Sequence, residues 1–450
     1  MTRTSPAASE PVTIAGAGPV GTLLALLLAR RGRQVQLFER RADPRRSSPE
    51  RGRSINLALA ARGLKALERA DALRAIAPEM VMMKGRQLHA SDGTQSFLPY
   101  GSRDSEVIHS ISRTRLNCAL IEAADACDNI RFFFDVRCTG LDPANGCLLL
   151  QESAGATRAV SAPLLVAADG AGSAVRGALA AGGRLAVRET PLAHDYKEFH
   201  IEARAGTWAL QPHALHIWPR GGFMLIALPN ADGSFTGTLF LARSGTPSFE
   251  SLHTPAAVSE FFAREFPDVP PLLPQLCEQF ERHPQGHLAT LECRPWSAGG
   301  CLLIGDAAHA ILPFHGQGLN CGFEDCVLLD ELLATHADPR AAFVAYEQAR
   351  RPDTEAIAAM ALENYQEMRD TVRVPDFARR RALALKLEQL FPQRFIPRYS
   401  MVMFHAEIPY REALRLGVLQ EKVLDVLLPR SDDLETDRGA LERLLTGMGL

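Results

Sequence analysis

The stretch VTIAGAGPVGTLLALLLARRG, residues 12–32, decides the fold of this chain. It opens with an apolar run, 12–15, that predicts a buried strand, and it continues through Gly16, Gly18 and Gly21 into a helical run. Glycines spaced G-x-G-x-x-G between a strand and a helix allow a tight turn, close approach of the backbone to a pyrophosphate, and close packing of the helix on the strand. The stretch therefore predicts a Rossmann-like dinucleotide-binding domain.

An acidic residue ends the second predicted strand, 34–39. Glu39 lies 18 residues after Gly21 (39 − 21), close to the roughly 20 expected for the acid that binds a ribose diol. Such an acid suits an adenosine ribose with a free 2′-hydroxyl, as in FAD or NAD, and disfavours NADP. A tight strand–helix turn that binds no nucleotide is the alternative interpretation.

Two further predicted strands end in an acid and a glycine. The apolar run 164–168 is followed by Asp169-Gly170, and the apolar run 301–304 is followed by Gly305-Asp306. Ligands of open α/β sheets bind at the carboxyl ends of the strands. Together with the glycine-rich turn, these strand ends predict one extended ligand that lies across the sheet.

The stretch GDAAHAILPFHGQGLNCGFEDC, residues 305–326, is where we place the chemistry. Pro313 stops the short helix predicted from Ala307, because proline lacks an N–H group. Gly316-Gln317-Gly318 then supplies flexible backbone, and a new helix is predicted from Leu319. The free N–H groups and positive dipole end of that helix favour a ligand that is, or becomes, negatively charged. A glycine-rich connection without a ligand is the alternative.

A hairpin is predicted from 83–93 and 97–100, with its turn at Asp92-Gly93. It would place Arg86 and Tyr100 close together. As surface residues they would mean little. Facing a cavity, Arg86 offers a planar fork for a carboxylate and Tyr100 a hydroxyl beside it.

Several other segments carry structural expectations. A helical apolar pattern covers 58–75, a helix begins at 111 and runs to 124, and 130–136 predicts a strand. Arg113 at the helix start opposes the dipole, which favours acids there, so an anionic ligand group is expected near it. The arginines at 51–53 could meet phosphates or lie on the solvated surface.

The region 196–241 predicts an antiparallel meander, which we interpret as a separate lobe. Met224, Ile226 and Leu228, with Phe240 opposite, would form one apolar face, as core or as a substrate wall. Beyond residue 339 the chain is predicted to be helical. Asn364 there shares a face with Met368, the last helix is expected at 412–428, and the tail from 431 is mostly polar.

The composition bounds the class of protein. A chain of 450 residues with 46% hydrophobic residues predicts a folded protein of two or three lobes, and a net charge of −3 excludes an overall basic surface for nucleic acid. Nine cysteines without paired spacing suggest reduced thiols in a cytoplasmic protein, and no metal site is expected. No secretory signal and no apolar run long enough for a membrane helix is present.

Three sets of residues together resemble one known family. GAGPVG with Glu39, DGAGSAVR (169–176) and GDAAHAILP (305–313) occur in the order found in the single-component flavin aromatic hydroxylases of the para-hydroxybenzoate hydroxylase type. Within that family the chain closely resembles the members that act on L-kynurenine, and the match covers nearly the whole chain. The matching stretches are GRSINLAL (52–59), KGRQLHASDG (84–93), SISRTRLN (110–117), ALHIWPRGGFMLIALPNADGSF (214–235), PFHGQGLNCGFEDC (313–326) and ENYQEMRD (363–370).

The resemblance implies an α/β fold in which a Rossmann-like FAD-binding domain is joined to an antiparallel-sheet substrate domain and a C-terminal helical region. We expect the FAD-binding domain at 1–185 and 286–350, with 76–108 contributing to the substrate lobe. The substrate domain is expected at 186–285, and 351–450 would close the pocket. Eukaryotic members end in an apolar membrane anchor that this tail lacks, so a soluble bacterial-type cytoplasmic enzyme, monomer or homodimer, is expected.

The resemblance also assigns site residues. It implies that the amino-acid part of L-kynurenine contacts Arg86, Tyr100, Asn364 and Tyr399. It implies an aromatic pocket of Ile108, Leu215, Met224, Ile226, Leu228, Phe240, Pro313 and Phe314, with His315 and Gln317 as candidate catalytic residues. FAD is expected against Gly16, Gly18, Val20, Gly21, Glu39, Arg40, Ala58, Arg113, Val136, Asp169, Asp306, Gly318, Leu319 and Asn320. For His315, a proton relay and a pocket-shaping role both remain open.

The implied reaction is hydroxylation by an FAD C4a-hydroperoxide, with O₂ and NADPH as co-substrates. The single dinucleotide fingerprint would hold FAD, so NADPH would visit only to deliver hydride. The alternatives are another FAD-dependent hydroxylase of a carboxylate-bearing aromatic and a non-enzymatic protein of the same fold. A flavin-dependent halogenase is disfavoured, because no tryptophan fits that family's W-x-W-x-I-P motif.

Overall fold

The computed structural model describes residues 11–46, 56–142, 145–204, 206–369, 375–429 and 438–450. The basic cluster at 51–53 and the start of the tail, 430–437, lie outside the described residues. The described chain forms two large sheets and two small ones, surrounded by helices.

A six-stranded sheet carries the N-terminal stretch. Its order is β18 (Ser297–Ala298), β19 (Cys301–Leu303), β12 (Leu165–Ala167), β1 (Val12–Ala15), β2 (Val35–Phe38) and β8 (Ile130–Phe133). All neighbours run parallel except the edge pair β18–β19. Parallel strands covered on both faces need apolar residues throughout, which explains the continuous apolar runs in the sequence. The four strands predicted at 12–15, 34–39, 164–168 and 301–304 are confirmed.

Helices cover this sheet and build the largest hydrophobic core. They are α1 (Pro19–Arg30), α4 (Arg113–Asp125), α5 (Ala174–Ala181), the one-turn α8 (Asp306–His309) and α9 (Gly318–Thr335). The core joins Ile14 and Leu37 of the strands to Leu24 and Phe323 of the helices. Helix α1 begins at Pro19, within the glycine-rich turn, and not after Gly21 as the sequence predicted, because proline is favoured in the first helical turn.

A seven-stranded sheet forms the second layer. Its order is β17 (Gln285–Arg294), β13 (Ala186–Ile201), β16 (Phe235–Ala242), β15 (Met224–Pro229), β14 (Ala214–Pro219), β5 (Gly85–His89) and β6 (Gln95–Pro99). The sheet is antiparallel, as predicted, except that β14 and β5 run parallel. No hairpin links these two strands, so their relative direction is not constrained by a short turn. The predicted hairpin at 83–100 is confirmed.

The two faces of the seven-stranded sheet have different partners. Helices α6 (Pro255–Glu265) and α7 (Leu276–Arg282), which the sequence analysis did not predict, cover one face with a phenylalanine-rich core. The other face carries Met224, Ile226 and Phe240 toward Phe314 and the C-terminal helices. Alternating strand residues explain this division, since neighbours along a strand point to opposite faces.

Two small sheets correct the sequence predictions. One sheet contains β3 (Asn56–Leu59), β7 (Ile108–Ser112) and β4 (Val81–Met83). The helix predicted over 58–75 is therefore wrong at its start. The helical structure begins with α2 (Ala61–Arg69) and continues with α3 (Leu73–Ile76). Likewise the helix predicted from 111 starts at Arg113. Pairing with β7 overrides the local helical pattern at Ala58.

The second small sheet was not predicted. It contains β9 (Val136–Asp142), β10 (Cys147–Glu152) and β11 (Thr157–Ser161). The strand predicted over 130–136 is therefore two strands, divided near Asp135, whose φ of 58° turns the chain.

The C-terminal region is helical, as predicted. It comprises α10 (Pro339–Arg369), α11 (Pro375–Leu390), α12 (Arg398–Phe404), α13 (Tyr410–Leu427) and α14 (Arg438–Gly447). The expectation that 412–428 holds the last helix is wrong, because α14 packs through Leu441 and Leu445 against α11 and α13. Among the described residues, no helix has the length and apolar character needed to cross a membrane.

The division into lobes remains a proposal. We propose a dinucleotide-binding lobe around the six-stranded sheet, a substrate lobe around the seven-stranded sheet and a helical region from 351. Because β17 pairs along β13, we propose to extend the substrate lobe from the expected end at 285 to Arg294.

Candidate active site

Four predicted motifs meet at one edge of the parallel sheet. Asp306 follows β19, Asp169 follows β12, the glycine-rich turn follows β1, and Glu39 follows β2. These strands are consecutive neighbours in the sheet and run parallel, so their carboxyl ends lie side by side. The structure thus brings together segments up to 290 residues apart (306 − 16).

The glycine-rich turn requires its glycines. Gly16 has a φ of 97°, and a Cβ there would lie 2.5 Å from the carbonyl oxygen of Ala168. A Cβ on Gly21 would lie 2.1 Å from the carbonyl oxygen of Gly16. A Cβ on Gly18 would meet nothing within 4 Å, so open space faces the turn at this position. This arrangement fits a backbone that a pyrophosphate approaches closely.

The acids around the turn are held by backbone donors. Glu39 accepts hydrogen bonds from the N–H groups of Ala17 (3.0 Å) and Arg41 (3.0 Å). Asp169 Oδ2 accepts from the N–H of Ala174 at 2.8 Å, while its Oδ1 is buried with no hydrogen-bond partner in the described structure. Burial raises the pKa of Asp169 above its ordinary value. Asp306 is exposed at the first position of α8.

Four further residues were predicted to contact the cofactor, and one of them contacts Glu39. The N–H of Val136 donates to the Glu39 carbonyl at 2.9 Å, which fixes β9 beside β2. Arg40 and Arg113 are exposed, so both guanidinium groups are open to a ligand. Val20 packs beside Gly305, since a Cβ added to Gly305 would lie 3.4 Å from the Val20 side chain.

The loop before α9 is fixed by Asn320. Its side-chain amide donates to the carbonyls of Ala58 (2.8 Å) and Gly316 (2.9 Å) and accepts from the N–H groups of Ala60 (2.9 Å) and Gly63 (3.2 Å). The side chain is saturated, so the first turn of α9, with Gly318 and Leu319, offers its backbone N–H groups rather than this amide.

Gln317 is turned away from the sheet edge, toward the C-terminal helices. Its Oε1 accepts from the Tyr410 hydroxyl at 2.7 Å, its Nε2 lies 2.9 Å from Met403 Sδ, and its side chain is fully buried. This is the geometry of a positioning residue that links the α9 loop to α12 and α13. A role of Gln317 in the reaction stays a prediction.

A buried arginine, Arg86, lies at the centre of a second group of predicted site residues, the substrate cluster, which contains Arg86, Tyr100, Asn364 and Tyr399. Arg86 is 1% exposed, its Nη1 donates to Glu367 Oε1 at 3.2 Å, and its guanidinium carbon lies 4.8 Å from the ring centre of Tyr399. Burial lowers the pKa of Arg86, but Tyr399, Glu367 and Tyr100 outweigh this and raise it above its ordinary value. Its Nε has no hydrogen-bond partner among the described residues, so part of the fork remains available to a ligand.

Two of its predicted partners, Tyr100 and Tyr399, lie beside Arg86, and the third, Asn364, contacts the neighbouring 313–315 turn. Tyr100, which is 2% exposed, stacks on Tyr399 with ring centres 5.8 Å apart, and burial raises its pKa. Asn364 donates to the Phe314 carbonyl at 2.6 Å and so holds the 313–315 turn. Glu367 was not predicted as a site residue from the sequence. Its position three residues after Asn364, on the same helical face, was the available signal.

An apolar wall adjoins this cluster. Met224 pairs with Phe240 across β15 and β16, and the ring of Phe240 lies 4.9 Å from that of Phe314. Ile108, Leu215, Ile226 and Leu228 pack together beside it with Tyr100. Pro313 is exposed at the start of the 313–315 turn, and its place in the substrate pocket stays a prediction.

His315 stands between the two clusters. Its ring stacks on Tyr399 with centres 5.4 Å apart, and its Nδ1 is buried with no hydrogen-bond partner among the described residues. Burial lowers the pKa of His315 to about 3, and the positive charges of Arg86 and Arg398 act in the same direction. The imidazole is therefore neutral at neutral pH.

A buried ionic network that the sequence analysis missed supports the sheet edge. Asp325 on α9 accepts from the Gly305 N–H (3.1 Å), contacts His309 Nε2 (2.8 Å) and accepts from Arg350 Nε (2.8 Å). Arg350 Nη1 also donates to Glu324 at 3.2 Å. The carboxylate of Asp325 thus fixes the turn that presents Asp306.

Comparison with known proteins identifies the family. A family model described as FAD binding domain matches residues 9–361. The kynurenine 3-monooxygenase of Myxococcus xanthus is 45% identical over 442 residues, which cover 97% of this chain and 95% of that protein. The kynurenine 3-monooxygenase of Xanthomonas euvesicatoria is 47% identical over 93% of this chain and 92% of that protein. The chain belongs to the kynurenine 3-monooxygenase family.

Two solved structures of oxygenases are similar in fold to this kynurenine 3-monooxygenase family member. The p-nitrophenol 4-monooxygenase of Pseudomonas putida has a TM-score of 0.66 at 18% identity and covers 92% of this chain and 98% of its own. 2-Methyl-3-hydroxypyridine-5-carboxylic acid oxygenase has a TM-score of 0.65 at 21% identity, over 84% of this chain and 96% of its own. The protein is an FAD-dependent monooxygenase, as the sequence resemblance implied.

Proposed function

We propose that the protein hydroxylates L-kynurenine at ring carbon 3, with NADPH and O₂ as co-substrates. The observation that carries this proposal is Arg86, a buried guanidinium with an unpartnered Nε beside an apolar wall. A buried cation with a free donor suits an anionic group, and the wall suits a flat aromatic ring. An amino acid with an aromatic side chain combines both.

The amino-acid end of the substrate would be held by groups of opposite charge. Arg86 and Tyr100 would donate to the α-carboxylate, and Glu367 would accept from the α-ammonium group. Arg86 Nη1 and Glu367 Oε1 lie 3.2 Å apart. This distance is similar to the separation between the ammonium group and the carboxylate group of an α-amino acid. In the absence of ligand each group satisfies the other.

The aromatic end would lie along Met224, Ile226 and Phe240, with Phe314 closing one side. These side chains exclude water from the reacting carbon, and the amide of Asn364 holds the 313–315 turn in place. Gln317 and Tyr410 would fix the α9 loop from behind.

The residues at the sheet edge fit FAD. The open space at Gly18, the unpartnered Oδ1 of Asp169 and the exposed Asp306 provide a close backbone approach and free polar groups for an extended dinucleotide. Glu39 would accept from the ribose, and the first turn of α9 would stabilise negative charge on the ring. When bound, FAD accepts hydride and activates oxygen, which is the chemistry the side chains cannot supply.

NADPH oxidation by the purified FAD-loaded protein tests the proposal. We expect the rate to rise strongly when L-kynurenine is added, and the product to gain the mass of one oxygen atom. Decarboxylated kynurenine is the matched control, since it keeps the ring but lacks the group assigned to Arg86; it should stimulate poorly. Equal rates with and without L-kynurenine, or a product of unchanged mass, would refute the assignment.

His315 gives a second test. With a pKa of about 3 it is a weak base, so we expect His315→Gln to retain kcat within about tenfold and to keep the shape of the pH profile between about pH 5 and 9. Steady-state kinetics over that range measures both quantities. A fall of about 10²- to 10⁴-fold together with a lost inflection would instead indicate a proton relay.

Oligomeric state and location complete the proposal. We propose a monomer or homodimer. We place the protein in the cytoplasm because all nine cysteines are free, as is usual in a reducing compartment.

A further inference from the structure

A separate cluster of ionisable residues, Glu106, Glu388 and His405, lies outside the flavin and substrate sites. Glu106 belongs to the loop between β6 and β7, Glu388 to α11, and His405 to the turn after α12. Glu106 is 4% exposed and Glu388 is 1% exposed. One donor atom from each of the three residues lies within 4.8 Å of the others.

Each residue of the cluster uses one polar atom in a short polar contact and leaves another without a hydrogen-bond partner among the described residues. Glu106 Oε2 accepts from the Arg103 N–H at 2.9 Å, and Glu388 Oε2 accepts from the Ser102 hydroxyl at 3.3 Å. His405 Nδ1 lies 2.8 Å from Glu407 Oε1. In the described structure, Glu106 Oε1, Glu388 Oε1 and His405 Nε2 are all buried with no hydrogen-bond partner.

The carboxylates of Glu106 and Glu388 repel each other when both are ionised. The carboxyl groups of Glu106 and Glu388 are both buried, and an oxygen of each lies within 4.8 Å of the other. The guanidinium of Arg103, about half exposed, forms an ion pair with Glu106 Oε1 at 3.5 Å and so balances one of the two carboxylates. Gly101 makes room for the cluster, since a Cβ there would lie 2.1 Å from Glu106 Oε2. A buried cation between the carboxylates would relieve this repulsion.

We propose that Glu106, Glu388 and His405 bind a divalent transition-metal ion, with Zn²⁺ as the best fit. Two carboxylate oxygens and one imidazole nitrogen are a ligand set that zinc accepts, with water in the fourth position. Donors at about 2.0–2.2 Å from a tetrahedral ion stand about 3.3–3.6 Å apart, so small side-chain movements would bring the three atoms into place. The imidazole disfavours Ca²⁺ and Mg²⁺, which prefer oxygen ligands.

The orientation of His405 supports the proposal. A histidine that binds a metal usually bonds through its other ring nitrogen to a carboxylate, which fixes the ring and raises its basicity. Glu407 occupies that position. By contrast, in the buried group His309, Cys321 and Asp325, the Asp325 oxygens are already taken by Gly305, His309 and Arg350.

The site would tie three segments together. The 101–106 loop follows directly after Tyr100, and α11 and the α12–α13 turn belong to the helical region that covers the substrate cluster. Zinc would therefore stabilise the attachment of the C-terminal helices. This inference does not depend on which substrate the enzyme uses.

Zinc uptake by the full-length FAD-loaded protein tests the site. After treatment with a chelator and its removal, we expect the protein to bind one equivalent of ZnCl₂ in a calorimetric titration and to melt at a higher temperature with zinc. Glu106→Gln and Glu388→Gln should both abolish these effects, and Glu407→Gln should weaken binding about 10- to 100-fold. Glu421→Gln is the control, because Glu421 is an exposed glutamate that also links two C-terminal helices, through Arg380.

Two further measurements keep the test decisive if a variant folds poorly. X-ray absorption of the zinc-loaded wild type should show only nitrogen and oxygen ligands near 2.0–2.2 Å, and sulfur near 2.3 Å would place zinc on cysteines and overturn the proposal. Without zinc, Glu388→Gln should melt no lower than the wild type, since the substitution removes a like-charge repulsion. Zinc uptake by Glu388→Gln equal to that of the wild type would also overturn it, as would failure of the wild type to bind zinc, which would indicate a proton shared between the carboxyl groups.

Discussion

Replacing Arg86 with methionine is expected to raise the Michaelis constant for L-kynurenine by tens to thousands of fold. Loss of a buried, charge-assisted pair costs on the order of 2–5 kcal/mol, and about 1.4 kcal/mol corresponds to a factor of ten. The guanidinium is 1% exposed, so water cannot replace it at the carboxylate. The visible spectrum of the bound flavin should not change, because Arg86 lies on β5 and not at the edge of the parallel sheet. Steady-state kinetics and flavin absorbance measure the two effects.

Two matched variants separate recognition from damage to the strand. Arg86→Lys should restore only part of the affinity, since lysine returns the charge without the planar fork. Gln87→Met changes the next residue of β5, whose side chain points to the opposite face of the sheet, and should behave like the wild type. If the Michaelis constant of Arg86→Met for L-kynurenine equals that of the wild type, within about half a kcal/mol in free energy, the assignment of Arg86 to the substrate carboxylate is wrong.

The sheet edge could be predicted from the sequence because each of its parts is local. A strand and the turn that follows it are contiguous, so the glycine-rich turn, Asp169 and Asp306 each carry their own signal. Their convergence follows from the rule that parallel strands present their carboxyl ends at one edge. The hairpin that carries Arg86 was predictable for the same reason, since its turn residues lie between its two strands.

Contacts between distant segments could not be predicted in this way. Arg86 and Glu367 are 281 residues apart, and Gln317 meets Tyr410 across 93. The Glu106, Glu388 and His405 cluster spans 299 residues (405 − 106), so no ligand spacing marks it, and no metal site was expected. Such clusters arise only when the C-terminal helices dock on the rest of the chain.

Local pattern also misled where tertiary pairing decides the structure. Ala58 carries a helical pattern but joins β3, because β7 offers it strand hydrogen bonds. The cofactor contact expected of Asn320 stays a prediction, and the fold narrows it, because the side chain is saturated by four backbone groups of the protein and only the backbone remains for a ligand. Residue type shows which hydrogen bonds a side chain can form, but only the fold shows which of them are already made.

Replacing Arg350 with methionine is expected to destabilise the protein by about 3–5 kcal/mol and to weaken FAD binding. The substitution leaves the fully buried Asp325 without its cation, and breaking one partner of a buried pair costs about this much. Asp325 holds the Gly305 N–H, so its displacement should disturb the turn that presents Asp306. Denaturant unfolding and flavin release measure the two effects. Arg351→Met is the matched control on the same helix, because Arg351 is 40% exposed and its ion pairs are at 3.5 and 3.8 Å; it should cost less than about 1 kcal/mol.

The same network predicts the acid limb of stability. Burial raises the pKa of Asp325, but His309 and Arg350 outweigh it and hold the pKa at about 2, below its usual 3.8. A carboxyl group with a depressed pKa in the folded state stabilises the protein fully above about pH 4, and that contribution is lost as the pH falls from 4 toward 2. Asp325→Asn should therefore be less stable than the wild type at neutral pH and should lose less stability on acidification. If both proteins lose stability in parallel between pH 4 and pH 2, then Asp325 is not the group that Arg350 neutralises, and the sheet edge must be held by other contacts.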